Sequence, residues 1–181
     1  MENKFAEEVM LTCSQELQDI SVLLSHPSST QPASDYIKKY AVIRASGSIE
    51  SAFKRIIADK VEIGCHEQIK NFIHRKIRSA SYNSKLGTIE NLLVDFDTRW
   101  KAKFAEKISL ENKIVLAESL SNLVTERNSF AHGGSSELSI DLTIKYFNDG
   151  FKVIKILDET VHHDFVDTEY VDTENADDKV V

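Results

Sequence analysis

Residues that interrupt helices are scarce in this chain of 181 residues, which contains six glycines and two prolines. Both prolines, Pro27 and Pro32, fall in the polar stretch at 25–33, so long stretches on either side lack proline. Hydrophobic residues make up 41% of the chain, which is an ordinary proportion for a globular protein. We therefore predict an all-α fold, with a loop at 25–33 and a few long helices around one core.

Apolar side chains recur at helical spacing along most of the sequence. The clearest seam has intervals of three, four and seven residues and consists of Ile37, Ala41, Ala45, Ile49, Ala52, Ile56 and Ile63. It predicts a long second helix from Ser34, whose hydroxyl would cap the helix. In the same way we predict a first helix before 25, a third at about 67–79 with Ile69, Phe72, Ile73 and Ile77 buried, a fourth from 86, a fifth capped by Ser109 and a last one from about Asp141. The expected bundle has about five to six helices.

Acidic residues are concentrated at the C-terminus. Of the 29 acids and 22 bases, nine acids and a single base lie at 158–181, so the remaining chain has a net charge of +1. From residue 163 the sequence is polar and has no period. We predict a single domain over 1–162 and a disordered acidic tail over 163–181.

The sequence contains no run of about 18–20 apolar residues, which a membrane span would need. The first residues are polar and acidic, with no apolar stretch typical of a signal peptide. Cys13 and Cys65 are far apart and lack the spacing of metal ligands. We therefore expect a cytoplasmic protein without membrane contact, with reduced thiols and with neither a metal ion nor another cofactor.

The segment Arg127-Asn128-Ser129-Phe130-Ala131-His132 is the one candidate catalytic motif. Arginine binds phosphate oxygens at two points, and histidine transfers protons near neutral pH, so the pair suits phosphodiester chemistry. Asn128 could hold an oxygen or orient the imidazole of His132. The alternative is structural, because arginine and histidine near a helix C-terminus also stabilise the free carbonyl groups there.

This motif resembles the signature of the HEPN superfamily, in which four residues separate an arginine from a histidine, so that the two are five positions apart. The segment at 35–50, Asp-Tyr-Ile-Lys-Lys-Tyr-Ala-Val-Ile-Arg-Ala-Ser-Gly-Ser-Ile-Glu, is also similar to the long helix of HEPN proteins of the RiboL-PSP type. The resemblance extends over roughly 33–161. It implies a HEPN-like helical bundle.

The resemblance also implies a function. Many HEPN proteins are metal-independent endoribonucleases of toxin–antitoxin, abortive-infection and other defence systems, and they form homodimers with a shared cleft. Arg127 would stabilise the phosphate, and His132 would activate the 2′-hydroxyl or protonate the leaving oxygen, with Asn128 at the frequent polar position. The products would be 2′,3′-cyclic phosphate and 5′-hydroxyl ends. Some HEPN toxins carry a tyrosine that their antitoxin modifies two residues after the histidine, but this chain has Gly134 there.

Basic residues are concentrated at 70–103, a stretch that contains eight bases and three acids. Such bases could bind RNA phosphates, although a solvated helix face is the commoner explanation. A helix would align Lys70, His74 and Arg78 in one stripe. The candidate RNA-binding residues are Lys70, His74, Arg75, Arg78, Lys101 and Arg44. Glu50 could line the same cleft as Arg44, or both could form structural salt bridges.

Two functions remain open from the sequence. The first is an RNA-cleaving toxin or antiviral defence effector, whose partners would be RNA, a second copy of the chain and an antitoxin or sensor protein. The alternative is a catalytically inactive HEPN module that binds RNA, a nucleotide or a protein partner.

Overall fold

The computed structural model describes residues 1–26, 31–131, 138–163 and 165, and these residues form seven α-helices and one π-helical turn. The predicted all-α fold is confirmed, and the described part of the chain contains no strand. The elements are α1 (Lys4–Ser25), α2 (Gln31–Val61), α3 (Glu67–Ile73), the π-turn (His74–Arg78), α4 (Leu86–Phe96), α5 (Thr98–Ser109), α6 (Lys113–Ala131) and α7 (Ile140–Val161).

The long helix α2 lies at the centre of the bundle and packs against α1, α6 and α7. Most of its predicted apolar seam is buried: Ile37 is partly buried, and the members fully inaccessible to solvent are Ala41, Ala45, Ile49, Ala52 and Ile56. Helices α4 and α5 pack against each other and complete the core through α6 and α7 respectively. The hydrophobic side chains of these helices therefore form one continuous core.

The predicted end of α2 was wrong at Ile63, which is 75% exposed and lies beyond the last helical residue, Val61. Gly64 has a φ of 74°, a left-handed conformation that glycine adopts without steric cost. The helix therefore ends before Ile63, and the chain turns at Gly64.

Two predicted helix starts were also wrong. Helix α2 begins at Gln31, so Ser34 lies within it, and Pro32 occupies its first turn, where proline is tolerated. Ser109 is the last residue of α5, whereas Asn112 accepts a hydrogen bond from the backbone N–H of Val115 at the start of α6. Of the predicted loop, 27–30 lie outside the described residues, as does the tail apart from residues 163 and 165.

The predicted third helix is interrupted by the π-turn. The N–H of Ser79 donates to the carbonyl of His74 at 2.9 Å, which is the wider spacing of a π-helix. Ile73 and Ile77 are buried as expected, but Ile69 is 49% and Phe72 is 58% exposed. These two side chains remain exposed because α3 packs mainly against the π-turn and not against the bundle.

The start of the chain is fastened to α7 by a buried carboxylate. Asp158, which is 1% exposed, accepts hydrogen bonds from the backbone N–H groups of Glu2 at 2.6 Å and Asn3 at 3.1 Å. The Asn3 side chain caps α1 by accepting from the N–H of Ala6, and it donates to Asp59 on α2. These bonds join α1, α2 and α7 at one end of the bundle.

We expect Asp158→Asn to lower the free energy of unfolding by about 2 kcal/mol, because an amide group would face backbone donors that now have a charged acceptor. For a chain of this size the thermal midpoint should fall by about 4–8 °C. The control is Glu159→Gln, at a side chain 64% exposed to solvent, where we expect a change within about 0.5 kcal/mol. Equal midpoints for the two variants in thermal denaturation would contradict the role of Asp158.

Gly150 marks the closest approach of α7 to its neighbours. A Cβ atom there would overlap Ile49 and lie 3.1 Å from Cδ2 of Leu120, both of which are fully buried. Gly47 is the matched case, because it also lies within a helix but a Cβ atom there would meet nothing within 4 Å. Substitution of each glycine by alanine therefore distinguishes the effect of close packing from the effect of helix propensity.

We expect Gly150→Ala to destabilise the protein by about 1 kcal/mol, because overpacking outweighs the gain in helix propensity. Gly47→Ala should instead stabilise it by about 0.5–1 kcal/mol. Urea denaturation of both variants measures the difference. If both changes stabilise the protein equally, the core around Gly150 is looser than the structure shows.

Candidate functional site

Arg127 lies near the end of α6, where its side chain reaches α2. Its Nη1 donates to Oε2 of Glu50 at 3.1 Å, and this pair joins residues 77 positions apart in the sequence. The side chains of Arg127 and Glu50 are 26% and 13% exposed, respectively. The pair is therefore shielded from most solvent, yet one side of the arginine remains accessible.

Glu50 binds three donors at this position. Besides Arg127, its carboxylate accepts from the backbone N–H of Tyr82 at 3.0 Å and from Nζ of Lys54 at 3.4 Å. Lys54 also donates to the carbonyl of Ala80 at 2.6 Å. The segment before α4 is thus held against α2 next to Arg127, and the guanidinium is oriented from one side by a carboxylate that is itself held in place.

The rest of the motif is described only in part. Asn128 is exposed on α6, and Phe130 is half-buried with Nζ of Lys39 lying 5.7 Å from the centre of its ring. His132 lies outside the described residues, and so does Gly134. The structure therefore gives the surroundings of Arg127 and Asn128, whereas the role of His132 rests on the sequence.

The predicted basic stripe does not form one exposed face. Lys70 and His74 are exposed, but the side chain of Arg78 is 16% exposed and turned toward α2. There it forms ion pairs with Asp59 at 2.7 Å and with Glu62. These ion pairs hold the side chain of Arg78 away from the exposed side chains of Lys70 and His74.

The pKa of Arg78 lies above its ordinary value. Burial alone would lower this pKa, but the hydrogen bonds that Arg78 donates to Glu62 and Asp59 outweigh the effect of burial. The pKa of the Asp59 carboxyl is lowered. Burial alone would raise this pKa, but the hydrogen bonds from Asn3 and Arg78 and the nearby charge of Arg55 lower it by more. These groups form a charged network along the polar side of α2.

The remaining candidates occupy different surroundings. Arg75 and Lys101 are exposed, on the π-turn and on α5. Arg44 is partly buried, where it donates to Glu16 on α1 and to the hydroxyl of Ser48 at 2.7 Å. The hydrogen bond to Glu16 raises the pKa of Arg44. Arg44 therefore joins α1 to α2, which is the structural role that the sequence left open.

Two neighbours of Arg127 were missed by the sequence analysis. Lys54 follows Glu50 by four residues on α2, and this spacing is a signal that could have identified the pair. Tyr82 contributes only its backbone N–H, which no residue pattern could reveal. Within the described ranges, no group of three histidine, cysteine, aspartate or glutamate side chains is arranged to hold a metal ion.

The arrangement around Arg127 suits the binding of an anion. A guanidinium has five N–H donors in a planar fork, and the bond to Glu50 uses one of them. The others can form a two-point contact with phosphate oxygens. Because the Glu50 carboxylate already orients the guanidinium, little conformational entropy would be lost when a phosphate binds.

We expect Glu50→Ala to lower the free energy of unfolding by about 2 kcal/mol, because Arg127 and the N–H of Tyr82 would lose their acceptor. Glu50→Gln should cost about half as much, since one carbonyl oxygen remains to accept. The control is Glu118→Ala at an exposed position on α6, with an expected change below about 0.5 kcal/mol. Thermal denaturation measures all three, and a Glu50→Ala midpoint equal to that of the control would contradict this role.

Comparison with known proteins gives one match. The chain matches the family profile RiboL-PSP-HEPN over residues 10–163, which includes the helices from within α1 to the end of α7. No curated protein and no solved structure shows a significant match to the chain. Among the described residues, none of the helices combines the length and apolar content needed to cross a membrane. The long match and the all-α bundle together show that this chain belongs to the RiboL-PSP-HEPN family of HEPN proteins.

Proposed function

We propose that this protein is a metal-independent endoribonuclease that acts in the cytoplasm as a toxin or an abortive-infection defence effector. The observation that carries the proposal is the position of Arg127, which precedes His132 by five positions and is oriented by Glu50. Membership of a HEPN family supports the same function.

In the proposed reaction the ribose 2′-oxygen attacks the adjacent phosphorus and the bond from phosphorus to the 5′-oxygen breaks. The 2′-hydroxyl loses its proton to a base, and the leaving 5′-oxygen gains a proton from an acid, so this step consumes no water. Arg127 would stabilise the negative charge that develops on the phosphate oxygens. His132 would carry one of the two proton transfers, and Asn128 would hold a substrate oxygen.

A second copy of the chain would complete this site. One motif offers one imidazole, whereas the reaction needs both a base and an acid. Two motifs that face a common cleft in a homodimer would supply both groups. The further partners in this proposal are the RNA substrate and an antitoxin or sensor protein that controls the activity.

The experiment is cleavage of a mixed RNA by the purified protein in excess EDTA, beside Arg127→Ala and His132→Ala. We expect the parent to leave 2′,3′-cyclic phosphate and 5′-hydroxyl ends. Each variant should lose at least about 100-fold in rate, which is typical for the loss of a group that transfers a proton or stabilises charge. A matched control is Asn122→Ala, at an exposed position on the same helix, whose rate should equal that of the parent.

Equal cleavage by the parent and both variants would refute the catalytic assignment. Absence of cleavage by the parent, with RNA binding that weakens steeply as salt rises, would instead favour the inactive binding module. The exposed bases Lys70, His74, Arg75 and Lys101 are the observation in favour of that second function.

A further inference from the structure

A cavity of about 330 Å³ lies on the polar side of α2, next to the Arg127–Glu50 pair. Its lining comes from α1, α2 and the π-turn and consists of Phe5, Gly47, Glu50, Ser51, Lys54, Arg55 and Arg78. The volume is within the range of ligand sites in proteins. Glu50 connects the cavity to Arg127, because one of its carboxylate oxygens binds Arg127 and the other binds Lys54 in the cavity lining.

The ion pairs beside this cavity contain more cations than carboxylates. The ion pairs connect four cations, Lys54, Arg55, Arg78 and Arg127, with three carboxylates, Glu50, Asp59 and Glu62. Within the described part of the chain, these partly buried ion pairs therefore contain one more cation than carboxylates. A single phosphodiester carries the one negative charge that would neutralise the additional cation, at a place where solvent screening is reduced.

One donor beside the cavity lacks an acceptor. Nη1 of Arg78 is buried, and no hydrogen-bond partner for it exists among the residues that the structure describes. An unsatisfied buried donor costs roughly 1–3 kcal/mol, and more when the group is charged. An unsatisfied group of this kind is typically explained by local strain, by a functional role, or by a bound ion or water.

One aromatic ring, that of Phe5, lines the cavity. Phe5 is 44% exposed, and the guanidinium carbon of Arg55 lies 4.9 Å from the centre of its ring. Exposed aromatic rings and guanidinium planes are the surfaces on which single-stranded RNA bases stack. The cavity thus combines cationic donors, which can bind the phosphate of a nucleotide, with a surface on which its base can stack.

We propose that this cavity binds one nucleotide of the RNA strand, with its phosphodiester near Lys54 and Arg78 and its base against Phe5. The inference rests on the proposed function, since it assigns the cavity to a nucleotide near the bond cleaved at Arg127. Glu50 lines the cavity and also binds Arg127, so the proposed nucleotide site and Arg127 adjoin the same side chain. A strand of RNA could therefore contact both at once.

The test uses Gly47, because this residue lines the cavity and a Cβ atom added there would meet nothing within 4 Å. Gly47→Glu and Gly47→Gln add side chains of equal size that differ by one charge. The probe is a short, fluorescein-labelled 2′-O-methyl oligoribonucleotide of mixed sequence, which lacks the free 2′-hydroxyl and cannot be cleaved. Its affinity is measured by fluorescence anisotropy at low salt.

We expect Gly47→Glu to bind the probe about tenfold more weakly than Gly47→Gln, because the new carboxylate would repel a phosphate a few ångströms away. The charge control is Gln18→Glu, exposed on α1 and thirteen residues, roughly 20 Å, along the helix from Phe5. Its affinity should equal that of the parent. Thermal midpoints of both Gly47 variants at or above that of the parent confirm that they fold.

Equal affinity of Gly47→Glu and Gly47→Gln would overturn the nucleotide site, and so would the absence of probe binding by the parent. Neither result depends on catalysis, so RNA cleavage by the parent could still support the proposed ribonuclease. Conversely, a tenfold loss in Gly47→Glu without any cleavage by the parent would support the site and refute the enzyme.

Discussion

The burial of one side of α2 among α1, α6 and α7 is the constraint on which the rest of the structure depends. The seam that begins at Ala41 consists of alanine and isoleucine side chains with no exposed surface. Small alanines allow neighbouring backbones to approach, and the isoleucines supply the apolar area whose removal from water stabilises the fold, at about 25 cal/mol per Å². Gly150 on α7 continues this close packing from the opposite side.

Because the apolar side of α2 is fixed in the core, its other side presents a row of carboxylates to the neighbouring elements. Glu50 binds Arg127 from α6, whereas Asp59, together with Glu62 just beyond the end of α2, binds Arg78 from the π-turn. Ion pairs of this kind contribute little net stability when their desolvation is counted. Their main effect here is to orient guanidinium groups that come from distant parts of the chain.

This orientation connects the fold to the proposed chemistry. An arginine that is already held by a carboxylate needs little rearrangement to stabilise a developing phosphate charge, and preorganisation of this kind is the main source of electrostatic catalysis. The same network continues into the cavity beside Lys54. One set of ion pairs would thus serve both the cleaved bond and a neighbouring nucleotide.

The sequence by itself determined the helical class, the buried seam of α2 and the residues of the motif. These features are local, because the periodicity of apolar residues reports which side of a helix faces the core regardless of its neighbours. Local signals were weaker at the helix ends, where several serines could act as caps and only some do. No pattern in the sequence indicated that α3 ends at a π-turn. Ile69 and Phe72 were therefore wrongly expected in the core.

Only the tertiary structure decided which charged groups meet. The partner of Arg127 lies 77 residues away, and its geometry depends on how α2 and α6 pack. The same holds for Asp158, which binds backbone groups at the opposite end of the chain. Helical spacing predicts contacts between residues three or four positions apart, but contacts between helices follow from the packing of the whole core, which no single segment of sequence contains.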